Sequence, residues 1–411
     1  MNANSKIVII GGGQTAVYAA KEIRLHDKSS NLTIISEENE FAYERPPLSK
    51  SYLTDEKKLD DFLFFAPSFY ADNKIDYIKN TKIIEVNFEK KILKTLSNQH
   101  YKYDKLLIAT GSSNKQIDFK LNDQDNILYL RNNLDSEKIK NYLKKYRDIL
   151  IVGGGFIGLE IASSANKFNK NVYILEMGSQ LMGRIIPKNI SNLCKNIHEE
   201  KGNKIFLNTT IKEIIKNESN YEVRLTNNET ITVEVIIVGI GSFANTEIFD
   251  EKQIEINNGL ITNEYCETSQ KHVFAAGDVS NFYHPFFNKN MRLESYQHAQ
   301  NHGICAGRNL VGLKESYNNI PWMWSDQFDI NIQLMGLCDD YDYSVQRGDN
   351  IEEGIIDFFI KKNCIIGACG IGKKGKIGKD IKLSTKILEK KILFQDEDLA
   401  NKDFKLNKIL K

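Results

Sequence analysis

Two short glycine patterns in this chain have the spacing of a loop that takes a diphosphate. One is Gly11-Gly12-Gly13-Gln14-Thr15-Ala16, read as G-x-G-x-x-A; the other is Gly153-Gly154-Gly155-Phe156-Ile157-Gly158, a full G-x-G-x-x-G. In such a pattern the first glycine permits a tight turn and the second lets a pyrophosphate approach the backbone. The small third residue lets the following helix pack on its strand. The helix N-terminus then presents free N–H groups to the phosphates. An acid about 20 residues further on accepts hydrogen bonds from ribose hydroxyls. Glu37 stands in that place after the first pattern and Glu176 after the second. Glu176 can bind a free 2′-hydroxyl but repels a 2′-phosphate, which favours NADH. No arginine follows it; the next residues are Met177, Gly178, Ser179 and Gln180.

Each pattern sits in the frame that must position it. The apolar strand Lys6–Ile10 leads into the first, a helical stretch runs to about Leu25, and Leu32–Ile35 reads as a second strand. Asp148–Val152, a helix to about Phe168 and a strand Val172–Leu175 repeat the order. Two such units imply two dinucleotides. One bound permanently and one exchanging is the economical arrangement for a flavoenzyme that takes hydride from a nicotinamide. Two further strands, Leu106–Ala109 running into Thr110-Gly111 and Val273–Ala276 running into Gly277-Asp278, flank the second unit. Their order fits a flavin domain interrupted by the nicotinamide site.

Composition agrees. The chain has 411 residues, enough for two or three domains. With 41% hydrophobic and 27% charged residues it reads as a globular protein, which excludes disorder, collagen-like repeats and a disulfide scaffold. It has no run of about 18 uncharged apolar residues, so no membrane helix is expected. The polar start Met1–Lys6 lacks the features of a signal peptide. Six irregularly spaced cysteines fit a reducing cytoplasm. The net charge of +1 is unevenly spread: Lys361–Lys411 holds 14 Lys and Arg against 6 Asp and Glu. These lysines are interspersed rather than clustered with aromatics, which argues against nucleic-acid binding. They could form a docking surface for an acidic protein or a plain solvated face.

The chain resembles the FAD-dependent NADH:ferredoxin reductase family of bacterial oxygenase systems, of the putidaredoxin reductase and biphenyl dioxygenase reductase type. Four stretches carry the likeness: Glu44-Arg45-Pro46-Pro47-Leu48-Ser49-Lys50, Gly153–Glu160, Ala275–Asp278 followed by Arg292–Gly303, and Pro321-Trp322-Met323-Trp324-Ser325-Asp326-Gln327. The likeness is expected to weaken over the last 60 residues. It implies an α/β, glutathione-reductase-like fold with two Rossmann-like dinucleotide-binding domains and a small α+β C-terminal domain. The implied ranges are 1–112 with 243–318 for FAD, 113–242 for NADH, and 319–411 for the C-terminal reductase domain that covers the flavin.

Carried over position by position, the resemblance implies FAD contacts from Gly11, Gly13, Thr15, Ala16, Glu37, Arg45, Pro46, Lys50, Ile83, Ala109, Thr110, Gly111, Arg131, Gly277, Asp278, Tyr296 and Trp324. It implies NADH contacts from Gly153, Gly155, Phe156, Ile157, Gly158, Glu160, Glu176, Arg184, Gly239, Ile240 and Gly241. Lys50, Glu160 and Trp324 would serve catalysis. The Lys50 ammonium would lie near the flavin N5 edge, on a turn stiffened by Pro46 and Pro47, and stabilise developing negative charge. Glu160 would pair with it beside the flavin–nicotinamide stack. Trp324 would shield the ring, or else be a core tryptophan. Many relatives carry tryptophan where this chain has Tyr296.

The implied activity is that of a ferredoxin–NAD(+) reductase: hydride from NADH to FAD, then single electrons to a 2Fe–2S ferredoxin, or a rubredoxin, that feeds an oxygenase. Rival readings are a reductase of a small acceptor such as monodehydroascorbate or a quinone, and a redox-sensing interaction protein resembling apoptosis-inducing factor. The protein would be a cytoplasmic monomer or homodimer with no membrane or nucleic-acid partner. Several other signals read as structural. The first cysteine is Cys194, so the flavin motifs at Gly11–Lys50 hold no redox pair. Cys364 and Cys369 sit in an apolar context. His298 and His302 have i, i+4 spacing but no obvious third metal ligand. Gly370–Gly378 reads as a mobile basic loop rather than a phosphate loop.

Overall fold

The computed structural model describes residues 5–118 and 126–410. By contact density it divides into two compact units. The first comprises Met1–Pro46, Lys58–Ser113 and Ser242–Asn319; the second comprises Pro47–Lys57, Asn114–Gly241 and Ile320–Lys411. The short segment Pro47–Lys57, which sequence order would leave with the first unit, packs in the second, where Leu53 is fully buried beside Leu128 and Leu159.

In the first unit a parallel sheet runs in the order Val273–Ala275, Lys105–Ile108, Lys6–Ile10, Asn31–Ile35, Ile75–Ile78. Its central strand, Ile7-Val-Ile-Ile10, is buried on both faces, as continuous apolar runs in parallel sheets are. Helix Gln14–His26 follows the first glycine turn and packs against helix Tyr296–Leu310. The two helices meet at backbone distance. A Cβ added to Gly303 or Gly307 would collide with the carbonyl oxygens of Thr15 and Ala19.

The second unit repeats the plan with Lys204–Phe206, Asn171–Leu175, Asp148–Val152, Val235–Val238 and Ile127–Tyr129, again all parallel. Each unit adds a three-stranded antiparallel meander, starting at Ile83 in the first and at Ile211 in the second. The second unit also holds an antiparallel sheet ordered Trp322–Gln327, Ile330–Gly336, Cys364–Lys373, Ile355–Lys361, Tyr343–Arg347. One hydrophobic core joins its Ile332, Phe359 and Ile371 to Leu159 and Ile161 of the dinucleotide half. The buried Arg347 guanidinium bonds Asp380 at 2.8 Å and the carbonyls of Leu399, Asn401, Lys402 and Phe404, so one cation ties down the end of the chain.

The basic loop expected at Gly370–Gly378 is not a loop. Gly370–Lys373 completes the strand Cys364–Lys373, a tight turn follows, and helix Gly378–Glu389 begins at once. Ile371 is fully buried, and Gly372 lies against Gly354 with no room for a side chain. Lys373 is paired with Asp329 and Glu352, and Lys376 with Glu353.

Candidate dinucleotide sites

The first glycine turn is built on a collision. Gly11 has φ +107°, and a Cβ there would strike the carbonyl oxygen of Ala109, at the end of the neighbouring strand. Two residues on, Gly13 caps helix Gln14–His26 with no side-chain hydrogen bond, and a Cβ on it would meet nothing within 4 Å. The turn is thus closed at its base and open where the uncapped helix N–H groups point. That is the shape and the donor set a pyrophosphate requires.

Around it stand other residues assigned to FAD. The Thr15 hydroxyl donates to Ala299 O at 3.0 Å, and Gly277, at φ +78°, lies against the same threonine. Asp278 accepts from Ser112 Oγ at 3.0 Å. Thr110 and Asn245 exchange two hydrogen bonds of 2.9 and 2.8 Å, which fixes the turn Ala109-Thr110-Gly111. Arg45, just before the Pro46–Ser49 turn, pairs with Glu38 and bonds the Tyr43 hydroxyl at 2.7 Å. Ile83 is buried at the head of its strand, and Ala16 is fully buried on the helix. Tyr296 donates to Glu44 Oε1 at 2.9 Å; burial first, and then that carboxylate, hold its phenol protonated well above the ordinary range. Glu37 is largely exposed and bonds Lys82 at 2.8 Å. The position that follows the strand directly, matching Glu176 in the second unit, belongs to Ser36.

The second turn repeats the collision with different atoms. Gly153 also has φ +107°, and its Cβ would strike the carbonyl oxygen of Gly239. Gly155 caps helix Phe156–Asn166 and, like Gly13, faces open space. Glu176 is aimed at this turn by backbone donors: Gly154 N–H reaches Oε2 at 2.9 Å and Gly178 N–H reaches Oε1 at 2.7 Å. Gly241 (φ +106°) lies beside the Arg184 guanidinium. Ile240 and Phe156 are partly buried, while Ile157 is 47% exposed on the first helical turn. Gly158 abuts Gly153 O so closely that no side chain fits.

Lys50 and Glu160 meet in the second unit. Lys50 Nζ lies 2.6 Å from Glu160 Oε2, and the Glu160 side chain is 5% exposed. Two hydroxyls complete the carboxylate: Ser49 donates to Oε2 at 2.5 Å and Ser325 to Oε1 at 2.7 Å. Neither serine was singled out in the sequence; both lie within motifs that were, one residue from Lys50 and from Trp324. Trp324 stacks on Trp322 at 5.0 Å. Arg131 precedes a helix whose Asp135 accepts its backbone N–H at 2.9 Å. Of the residues assigned to FAD, Lys50, Arg131 and Trp324 therefore belong to the second unit and the rest to the first.

His298 and His302 are buried in the first unit against Phe282 and Tyr317. No group of three or more His, Cys, Asp or Glu side chains that could hold a metal occurs among the described residues. All six cysteines are free thiols, and burial pushes the Cys369 thiol well above its ordinary value. Among the described residues no helix is long and apolar enough to cross a membrane.

Residues 5–303 match the family model for pyridine nucleotide-disulphide oxidoreductases, and residues 322–410 match that for the reductase C-terminal domain. The chain is 31% identical to the 3-phenylpropionate/cinnamic acid dioxygenase ferredoxin--NAD(+) reductase component of Photorhabdus laumondii, over 90% of this chain and 93% of that protein. It is 29% identical to a rubredoxin-NAD(+) reductase of Pseudomonas putida, over 92% of this chain and 99% of that one. Among solved structures, the ferredoxin reductase for the CYP199A2 system from Rhodopseudomonas palustris superposes with a TM-score of 0.92 at 28% identity, covering 98% and 99% of the two chains. The family likeness thus extends through the last 60 residues, to residue 410.

Proposed function

The chain belongs to the pyridine nucleotide-disulphide oxidoreductase family and carries its reductase C-terminal domain; on that premise we propose that it is a flavoprotein ferredoxin–NAD(+) reductase, taking two electrons from NADH and delivering them singly to a 2Fe–2S ferredoxin. The observation that carries the reading is the repeated glycine turn, closed at its base and open at an uncapped helix N-terminus, once in each unit. FAD, when bound, supplies the conversion of one hydride into two single electrons.

The protein's own residues bind, orient and neutralise. Gly11, Gly13 and the N-terminus of Gln14–His26 would hold the FAD pyrophosphate, and Asp278 its ribityl chain. Gly153, Gly155 and the N-terminus of Phe156–Asn166 would hold NADH. Glu176, pinned by two glycine N–H groups, would read the adenosine ribose and reject a 2′-phosphate. Lys50 would place its positive charge where negative charge develops on the flavin, with Glu160 fixing the ammonium. No protein nucleophile is needed. The cysteines argue against disulfide chemistry, since the segment Gly11–Lys50 contains none and four of the six are buried. Free thiols throughout also support a cytoplasmic setting.

A rubredoxin is the second acceptor to consider, because the Pseudomonas putida relative named for it is matched over 99% of its length. The deciding experiment adds NADH to the FAD-loaded protein without oxygen and follows flavin bleaching. Turnover is then compared with a 2Fe–2S ferredoxin, a rubredoxin, monodehydroascorbate and a quinone. Absence of bleaching refutes the reductase reading; faster turnover with a small acceptor than with either iron protein refutes the ferredoxin assignment.

A further inference from the structure

The Lys50–Glu160 pair is the visible end of a longer buried chain inside the second unit. Ser325 Oγ, which donates to Glu160 Oε1 at 2.7 Å, itself accepts from Gln327 Nε2 at 3.1 Å. Gln327 Oε1 faces two donors: His198 Nε2 at 2.9 Å and Cys194 Sγ at 3.2 Å. Behind the imidazole, Asn203 Nδ2 reaches His198 Nδ1 at 2.9 Å. Glu160, Ser325, Gln327, His198, Cys194 and Asn203 are all at most 4% exposed.

The donors all run one way. A carboxylate only accepts, so Ser325 donates to Glu160 and Gln327 to Ser325; with His198 as the Nε2–H tautomer, His198 donates to Gln327 and Asn203 to His198. This direction matters because an amide can turn over. If Gln327 turned, its oxygen would face Ser325, and the serine proton would leave Glu160 for the amide. Glu160 Oε1 would then be a buried carboxylate oxygen without its donor. With His198 in its Nε2–H tautomer, His198 and Cys194 oppose that turn, because each would then point a hydrogen at the amide NH2.

We propose that Gln327 and His198 are positioning residues for the Glu160–Lys50 pair, locking the Ser325 hydroxyl onto Glu160 and so holding the Lys50 ammonium in one place. The proposal rests on the reading that Lys50 serves hydride transfer. The two titratable donors to Gln327, His198 and Cys194, are neutral where the protein works. Burial lowers the His198 imidazolium to about 4, and burial raises the Cys194 thiol to about 12. Both therefore offer the neutral donor that the amide oxygen needs.

The test uses the full-length, FAD-loaded protein, with stopped-flow flavin bleaching by NADH from pH 5.5 to 9 and flavin reduction potential as the second readout. His198→Phe keeps the ring's shape and removes its donor. With Gln327 free to turn, Ser325 leaves Glu160, and the limiting bleaching rate is expected to fall about tenfold, the effect of that one charge-assisted hydrogen bond, with NADH affinity unchanged. His198→Gln, which can donate from the same side, should regain most of that loss. Gln327→Glu sets a second carboxyl against Ser325 and should add an ionisation to the rate profile and lower the flavin potential. A merely structural role would lower thermal stability and leave both the profile and the potential as in the wild type. That result overturns the proposal. Lys50→Met separates the two levels. If it bleaches at the wild-type rate, the role given to Lys50 fails. If it is slow while Gln327→Glu keeps the wild-type profile and potential, only the positioning chain fails.

Discussion

Lowering the pH should loosen the first unit through histidines that have no route to water. His298 is fully enclosed: its Nδ1 meets the Tyr317 hydroxyl at 2.9 Å, its ring stacks on Phe282 at 4.9 Å, and its Nε2 is buried without a partner. Burial lowers its pKa to about 3. In the unfolded chain the same imidazole titrates near 6.5, so below that pH the unfolded state binds the extra proton. The stabilisation is complete above about pH 6.5 and is lost as the pH falls toward the folded value. At pH 5 the imbalance is about 1.5 pH units, or about 2 kcal/mol from His298 alone. His302, shifted in the same direction mainly by burial, adds to it. A unit of this size loses about 2–4 °C per kcal/mol, so the melting temperature should fall by at least ~4–8 °C between pH 7.5 and pH 5. Flavin should leave with it, because His302 Nδ1 accepts the Gly277 N–H at 3.2 Å and so holds the turn that carries Asp278. The assay is thermal release of flavin fluorescence across that pH range, in wild type and His298→Phe. The variant should start lower at pH 7.5, having lost a hydrogen bond, and should decline less steeply. Parallel curves for the two proteins would refute the reasoning.

Three further outcomes follow from single contacts. Glu176→Ala removes the carboxylate held by Gly154 and Gly178; the NADH KM should rise about tenfold and the preference over NADPH should narrow, as steady-state kinetics with both nucleotides will report. Gly153→Ala places a methyl against Gly239 O at a strained φ; NADH bleaching should be lost while the purified protein keeps its full FAD content, read from its absorbance ratio. Arg347→Gln breaks the tether to Asp380 and four carbonyls; limited proteolysis should then cut near 399–404 far faster than in the wild type, and stability should fall by about 3–5 kcal/mol, the usual cost of breaking a buried ion pair.

The glycine turns were legible because their strand, turn, helix and second strand follow one another within a βαβ unit of roughly 30 residues, although the residues that close them, Ala109 and Gly239, stand far off in sequence. The Lys50–Glu160 pair was legible only through likeness to a family, since 110 positions separate the partners in sequence and no local periodicity reports on a contact of that span. Ser325 and Gln327 stood in the sequence only as members of the Pro321–Gln327 stretch, and His198 left no signal, because a serine, an amide and a lone histidine look the same on a surface as in a buried chain. The helix contact at Gly303 and Gly307 did leave one, a small-xxx-small spacing, which the reading of the sequence did not use. Gly370–Gly378 was misread because glycine alternates there with Ile371 and Lys373. Spacing alone does not separate a glycine that bends a loop from one that lets two strands and a helix close on each other.

The two cradles share one backbone plan, and one of their chemical differences falls where function needs it. Gly11 leans on Ala109 O as Gly153 leans on Gly239 O, with equal φ, and each strand register runs five residues deep. At the residue after the second strand they part: Ser36 in one, Glu176 in the other. A carboxylate at that point, held against the turn by two N–H groups, costs desolvation, which ribose binding and rejection of a 2′-phosphate would together offset. On the proposed assignment the second cradle takes NADH, which has a 2′-phosphorylated twin in every cell, and so needs the charge. FAD, proposed for the first cradle, has no such twin, and that cradle can leave its acid one residue further on, at the surface beside Lys82.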